Sequence, residues 1–578
     1  MDNEILTSVS KKTEENEFYS PLPDGYQVGK TKFVVIYGTV MSGLGKGIFA
    51  SSLAKLLQLK GLKVTQMKLE GYINVDSGTL NPFRHGEVFV LDDGTETDMD
   101  LGTYERFLGI KLNKNNFTTN GQIFSSILER ERKGEYLGRD VQFVPHVTGE
   151  IKYRLRQLAQ ESKADVVFVE IGGTVGDLEN SHYIEAMREL LYEEGRENVA
   201  MIALTYILNP GFLGEQKSKA AQLGLRALMT SGIQPDIIAC RCDEEVTVKV
   251  RQKISVASNV PVQRVVSVHD VESIYLIPDL LKKSGLDTHT ITLLGLQGRV
   301  QEDLDGWKEW HDYVTSIRNL QDEVVIGITG KYTSLRDSYA SIIKALEHAG
   351  TRLGQKVRLK WIDTTDLSTE TAAQELQGVK GIIVPGAFGS RGAEGKINCI
   401  KYARENDIPY LGLCYGFQMA IIEFARNVCG LAGSNSTEIE KEAVHPVIDI
   451  LPEQKNIDSL GGNMRLGGHD VEIKENTKAA NLYGSLMVRE RFRHRWECNP
   501  DYINQFTEKG LVFSGKAPGR EIMQILELPD KKFFVGVQFH PEYISNPLRP
   551  HPLYLGFLKA TLSDDKFMVT DKDQQHNI

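Results

Sequence analysis

From about residue 30 onward, short apolar runs alternate with longer amphipathic stretches. Phe33–Tyr37, Val64–Leu69, Val166–Ile171, Met201–Leu208 and Ile237–Cys240 are near-continuous apolar runs, the pattern of strands buried on both faces. Ile48–Leu59, Ile151–Ser162 and Ser218–Ser231 space their apolar residues as a helix face does. That alternation predicts a parallel sheet covered by helices on both sides, a doubly wound α/β domain. The charged, Trp-containing stretch Arg299–Asp322 breaks the pattern and predicts a helical linker. A second α/β series follows with Val324–Thr329, Val357–Ile362, Gly381–Val384, Tyr410–Leu413 and Val535–Phe539 as strands. The expected organisation is a flexible leader 1–28, a first domain 29–298, a linker 299–322, a second domain 323–562 and a flexible tail 563–578.

Composition narrows the class. The chain has 578 residues, too many for one ordinary core, with 41% hydrophobic and 25% charged residues. No apolar run reaches the roughly 18–20 residues that cross a bilayer, and the polar N-terminus lacks the apolar region of a signal peptide. A cytoplasmic protein without a membrane partner is expected. Six scattered cysteines do not suggest a disulfide framework, and Cys240 and Cys242 lack a second pair to make a zinc site. A net charge of −10 speaks against a nucleic-acid partner, but a local pocket of lysines and glycine N–H groups can still hold a nucleotide.

The first half carries phosphate chemistry. The strand KFVVIYG runs through TVMSGLGKG into the helix IFASSLAKLLQLKG. Glycines between strand and helix let backbone N–H groups approach phosphate oxygens, and the helix N-terminus favours negative charge. Lys46 is the candidate cation. The standard phosphate-loop spacing is not met, because Val40 and Gly47 occupy two required places; a tight strand–helix turn remains an open reading of this segment alone. Asp100 in ETDMDLG and Glu170 at the end of DVVFVE are candidate Mg²⁺ carboxylates, beside the plainer reading of Asp100 as a solvated loop acid. Asp177 and Glu179 follow on the glycine-rich IGGTVGDLEN, and GEQKSKAAQ presents Lys217, Lys219 and Gln222.

The second half carries nucleophile chemistry. Cys414 lies in Gly-Leu-Cys-Tyr-Gly between a strand and the helix Gly416–Ala425, a turn that exposes a reactive atom at a helix N-terminus. His540 in VGVQFHPEY is the candidate base, with Glu542 two residues on to orient its ring. VPGAFGSRG, after another apolar strand, is the candidate oxyanion hole.

These motifs, in this order, resemble two families joined in one chain. The strand-PG-x-FG-x-RG, G-x-C-x-G-x-Q and Q-F-H-P-E elements resemble class I glutamine amidotransferases. SGLGKG, MKLEGYINVD, HGEVFV, ETDMDLGTYERF, NNFTT, VEIGGTVGD, SGIQPD and VESIYLIP, together with NSTE, MRLG and RHRWE, resemble the CTP synthase family over about residues 31–560. The resemblance implies an N-terminal P-loop-like amidoligase domain and a C-terminal glutaminase. It implies ATP-dependent conversion of UTP to CTP through a 4-phosphorylated UTP, with ammonia from glutamine passed internally. It places ATP on Gly43, Leu44, Gly45, Lys46, Gly47, Ile48, Asp100, His269, Asp270 and Val271, and Mg²⁺ on Asp100 and Glu170. UTP, or CTP as feedback inhibitor, falls to Ser42, Asp177, Leu178, Glu179, Lys217, Ser218, Lys219, Ala220, Ala221, Gln222 and Lys253. Glutamine falls to Ala387, Tyr415, Gly416, Phe417, Gln418, Glu438 and Arg495, and Arg465 is a candidate for GTP activation. The family also implies a homotetramer and filaments.

The chain departs from the family at Glu70-Gly71, where Asp-Pro is usual, and at Ser218, Ala220 and Ala221 between the two lysines and the glutamine. Ala387 stands where a second glycine is common, and is strained if φ there is positive. Tyr415, Phe417 and Trp496 are expected to enlarge the glutaminase pocket wall and slow turnover. The alternatives are another two-domain glutamine-dependent amidoligase and a nucleotide-binding, filament-forming paralogue with weak activity.

Overall fold

A computed structural model of the protein describes residues 21–136, 138–211, 214–331, 336–450 and 464–563. Its described residues form two units, one lying within residues 21–76 and 103–309, the other within 77–102 and 310–563.

The first unit is built on seven parallel strands: β1 (Lys32–Gly38), β2 (Val64–Glu70), β3 (Phe117–Thr119), β4 (Val166–Ile171), β5 (Val199–Tyr206), β6 (Ile237–Cys242) and β7 (Val265–His269), in the order β3-β2-β4-β1-β5-β6-β7. Successive side chains of a strand face opposite ways. Phe33, Val35 and Tyr37 of β1 enter one core, and Val34 and Ile36 the other. With both faces packed, every second residue has no solvent to meet, and the apolar run is continuous. Helices Lys46–Leu59, Thr148–Ser162 and Lys219–Thr230 stand within a few residues of their sequence-predicted ends. The predictions from periodicity missed β3 and β7, which are only three and five residues long.

The second unit holds β8 (Asp322–Gly330), β9 (Gln355–Asp363), β10 (Gly381–Val384), β11 (Tyr410–Leu413), β12 (Arg465–Ile473), β13 (Met487–His494), β14 (Val512–Lys516), β15 (Met523–Glu527) and β16 (Phe534–Val537). They lie in the order β9-β8-β10-β11-β16-β15-β14-β12-β13. The β9-to-β16 portion is parallel and the rest antiparallel.

The structure bears on the domain plan read in the sequence at several points. Residues 77–102, placed there inside the first domain, pack as part of the second unit. The Glu87 carboxylate accepts from the Ser341 N–H at 3.0 Å, the Tyr543 hydroxyl donates to the Val88 carbonyl at 3.0 Å, and Arg489 pairs with Asp92 at 3.1 Å. The linker is the helix Leu304–Arg318, whose Trp310 is fully buried. Of the leader, residues 1–20 lie outside the described residues, while Tyr26 is held by its N–H on the Pro23 carbonyl and by the Arg156 guanidinium over its ring. The tail beyond Ser563 also lies outside them.

Candidate active site

Strand β11 ends at Leu413, and the next helix, Tyr415–Asn427, starts at once. Cys414 fills the single residue between them with φ 50° and ψ −96°, a conformation costly for a side chain with a Cβ. Its N–H is tied to the Val537 carbonyl of β16 at 2.7 Å, so the neighbouring strand holds the turn. The thiol faces the Arg493 carbonyl at 3.5 Å, and the Gln538 amide donates to the sulfur at 3.6 Å.

His540 follows β16 and lines the same cavity as Cys414; its Nδ1 lies 2.7 Å from Glu542 Oε1. Tyr543 stacks on the imidazole with centroids 4.8 Å apart. Burial disfavours the imidazolium, but Glu542, Cys414 and their hydrogen bonds outweigh it and raise the His540 pKa to about 10. The sequence-predicted nucleophile, base and orienting carboxylate therefore meet in one relay. A cavity of about 470 Å³ opens onto all three and is also lined by Ala387, Glu438, Arg495 and Arg493.

The loop after β10 faces this relay. A Cβ on Gly386 would lie 2.9 Å from His540 Cε1, so only glycine leaves the ring in place. Ala387 is not among the described non-glycine residues with positive φ, so its substitution for glycine carries no backbone strain. Glu438 accepts the Gly389 N–H at 2.7 Å, and burial raises its carboxyl pKa.

Tyr415, Gly416, Phe417 and Gln418 do not line the cavity. Phe417 is in the core, and the Tyr415 hydroxyl donates to the Gly389 carbonyl at 2.8 Å. The expected enlargement of the pocket wall by these two rings is therefore not what the side chains do. Trp496 does line the cavity. The Gln418 amide is engaged with the Trp496 carbonyl at 2.8 Å. Arg493 was missed by sequence reasoning, since its contribution to Cys414 is a carbonyl, which no motif records.

In the first unit, all strands are parallel, so their C-terminal ends share one edge, where α/β sheets bind ligands. The expected nucleotide residues of this unit gather on the loops of that edge: Ser42–Ile48 after β1, Asp177–Glu179 after β4, Lys217–Gln222 after β5, and His269–Val271 at the end of β7. Lys253 is exposed on the helix Val248–Ser258. Val40, Gly43 and Gly45 all have positive φ, which curls the chain into the helix N-terminus. Lys46 donates to the Gly173 carbonyl at 2.9 Å, and the Val175 N–H donates to the Gly38 carbonyl at 2.8 Å, lacing the β1 and β4 loops together. Lys217 pairs with Glu215, and the Gln222 amide donates to Ser218 Oγ at 3.0 Å.

Glu170 is 3% exposed and is answered by Lys68 at 2.8 Å and by the Tyr104 hydroxyl. Lys68 also lies 3.2 Å from Glu70, the residue standing where the family has Asp. Both Glu170 oxygens are thus engaged, by Lys68 and Tyr104, and among the described residues no group of three or more His, Cys, Asp or Glu side chains is gathered as a metal site. Asp100 stands in the first turn of the helix Met99–Leu108.

Known proteins match the chain in two consecutive stretches. Residues 32–296 match the family model described as CTP synthase N-terminus, and residues 334–560 that of glutamine amidotransferase class-I. A CTP synthase of Pyrococcus abyssi is 50% identical over 94% of this chain and all of its own length. The chain belongs to the CTP synthase family. A family member from Staphylococcus carnosus is 48% identical over 92% of this chain and 98% of its own. The solved glutaminase domain of the Trypanosoma brucei enzyme with bound acivicin is 38% identical, covering 42% of this chain and 95% of that one, with a TM-score of 0.40. Like its family, the chain is a glutamine-dependent ligase of pyrimidine biosynthesis, a synthase half joined to an amidotransferase half. Among the described residues no helix is long and apolar enough to cross a membrane.

Proposed function

We propose that this enzyme converts UTP to CTP with ATP and glutamine, and that Cys414, His540 and Glu542 release the ammonia. The observation that carries the glutaminase step is the relay itself: a thiol on a strained turn, sharing a cavity with an imidazole that is held by a buried carboxylate. The Cys414 sulfur attacks the side-chain amide carbon of glutamine, and His540 gives a proton to the departing ammonia. Water, deprotonated by the same imidazole, then cleaves the γ-glutamyl thioester to glutamate. Backbone N–H groups at Ala387 and Tyr415 stabilise the oxyanion, and Glu438 and Arg495 hold the glutamine backbone charges with the support of Gly416, Phe417 and Gln418.

In the other half, Gly43–Ile48 cradle the ATP phosphates with Lys46 as cation, and His269–Val271 lie beside the adenine. Ser42, Asp177–Glu179, Lys217–Gln222 and Lys253 hold UTP, or CTP as feedback inhibitor. Asp100 and Glu170 are the carboxylates that would hold Mg²⁺, which would draw charge from the phosphate oxygens. Phosphate passes from ATP to the uracil 4-oxygen, ammonia replaces it, and inorganic phosphate leaves. Ammonia moves internally because in water it would be mostly protonated. GTP activation through Arg465, a cytoplasmic homotetramer and filaments belong to the same reading.

The test is CTP formation from UTP, ATP and Mg²⁺ with glutamine or ammonium chloride. CTP from both is expected; none from either would end the reading.

A further inference from the structure

The glutaminase relay makes no use of one buried cation beside it. Lys396, in the first turns of the helix Ala393–Glu405, is 0% exposed. Its ammonium lies 3.2 Å from the Pro385 carbonyl oxygen and 5.5 Å above the ring of Tyr415. Burial, helped by Lys331 and opposed by Cys399 and Cys414, lowers its pKa to about 7. An apolar side chain would fill this space at lower cost, since a buried ammonium loses its hydration and regains only what its partners return.

What the lysine holds is informative. The Pro385 carbonyl and the Gly386 N–H belong to one rigid peptide plane and point opposite ways, so fixing the first aims the second. Gly386 is the glycine that lies against His540 and Cys414. The same loop is gripped at three further points: Lys331 donates to the Phe388 carbonyl, Tyr415 to the Gly389 carbonyl, and the Gly389 N–H to Glu438. Four polar side chains thus hold one short loop, and two of them, Lys396 and Tyr415, stand as cation over ring.

We infer that Lys396 is a positioning residue of the glutaminase, holding the Pro385–Gly386 peptide so that the loop's N–H groups face the oxygen of the tetrahedral intermediate, with Tyr415 locking the far end of the same loop. The inference rests on the glutaminase reading of Cys414. An oxyanion forms only in the reaction, so loosening this loop removes stabilisation from the transition state and not from bound glutamine.

The experiment uses the full chain as Lys396→Met, Lys396→Gln and Tyr415→Phe, with glutamate release at varied glutamine and CTP formation from ammonium chloride. In Lys396→Met the kcat for glutamate release is expected to fall about tenfold or more, with KM for glutamine and ammonia-dependent CTP formation each within about twofold of the parent. Lys396→Gln, which keeps a donor, recovers part of the loss. Tyr415→Phe loses one oxygen and is the milder variant if Lys396→Met does not fold; its kcat falls about threefold at unchanged KM. Parental kcat in both Lys396→Met and Tyr415→Phe, or an equal loss with ammonia, overturns the assignment. Absence of glutamate release by the parent would instead remove the glutaminase reading itself.

Discussion

Two turns leave the ends of parallel strands in this molecule, Gly38–Lys46 in the first unit and Leu413–Tyr415 in the second, and they hold their chemistry in opposite ways. The first spreads positive φ over Val40, Gly43 and Gly45, two of them glycines. Its lysine rests on the Gly173 carbonyl, a neutral partner that a phosphate can replace. The second concentrates the conformational cost in Cys414 alone, and Val537, Gln538, Arg493 and His540 surround that residue. The first turn is cheap to form, because two of its three positive-φ positions are glycines. The second is costlier, and the neighbouring strand β16 sustains its strain through the Cys414 N–H bond to Val537.

That contrast breaks or sharpens under substitution. Glu542→Gln attacks the assembled relay, and glutamine-dependent turnover should fall about ten-thousandfold, as it does when the orienting acid of a triad is neutralised. The pH profile carries the sign. The folded-state pKa of His540 is raised to about 10, so the stability it contributes is complete below its ordinary value of 6.5 and is lost as pH rises toward 10. With Glu542 neutral, the alkaline limbs of both glutaminase activity and thermal stability should move to lower pH, read by a pH series of kcat and melting temperature.

Lys46→Met attacks the open turn, and CTP formation should drop about a hundredfold with glutamine and ammonia alike, measured at saturating ATP. Gly386→Ala pushes a methyl against His540 and should lower the kcat for glutamate release about tenfold while leaving ammonia-dependent synthesis intact. Ala387→Gly should be nearly silent, within about twofold, because the backbone there does not need glycine.

Apart from the short β3 and β7, the parallel strands were legible because burial writes continuous apolar runs, as in VVFVEI and YLGL. The antiparallel strands β12, β13 and β14 were not, since partial exposure gives RLGGHDVEI and MVRERFRH a mixed pattern. The relay was legible because each member needs a side chain of fixed chemistry at a turn. The placement of residues 77–102 in the second unit was not, because it depends on distant partners such as Ser341 and Tyr543. Nor were the true positions of Tyr415 and Phe417, since a motif gives an address on the chain and not the direction a ring points. Lys396 reads as an ordinary helix lysine until its full burial is seen.

The central claim is that one chain joins two separable chemistries, and Cys414→Ala assayed in parallel with glutamine and with ammonium chloride tests it most directly. The account predicts no CTP from glutamine and a parental rate from ammonia. CTP from glutamine in that variant, or loss of synthesis from both sources, would contradict it.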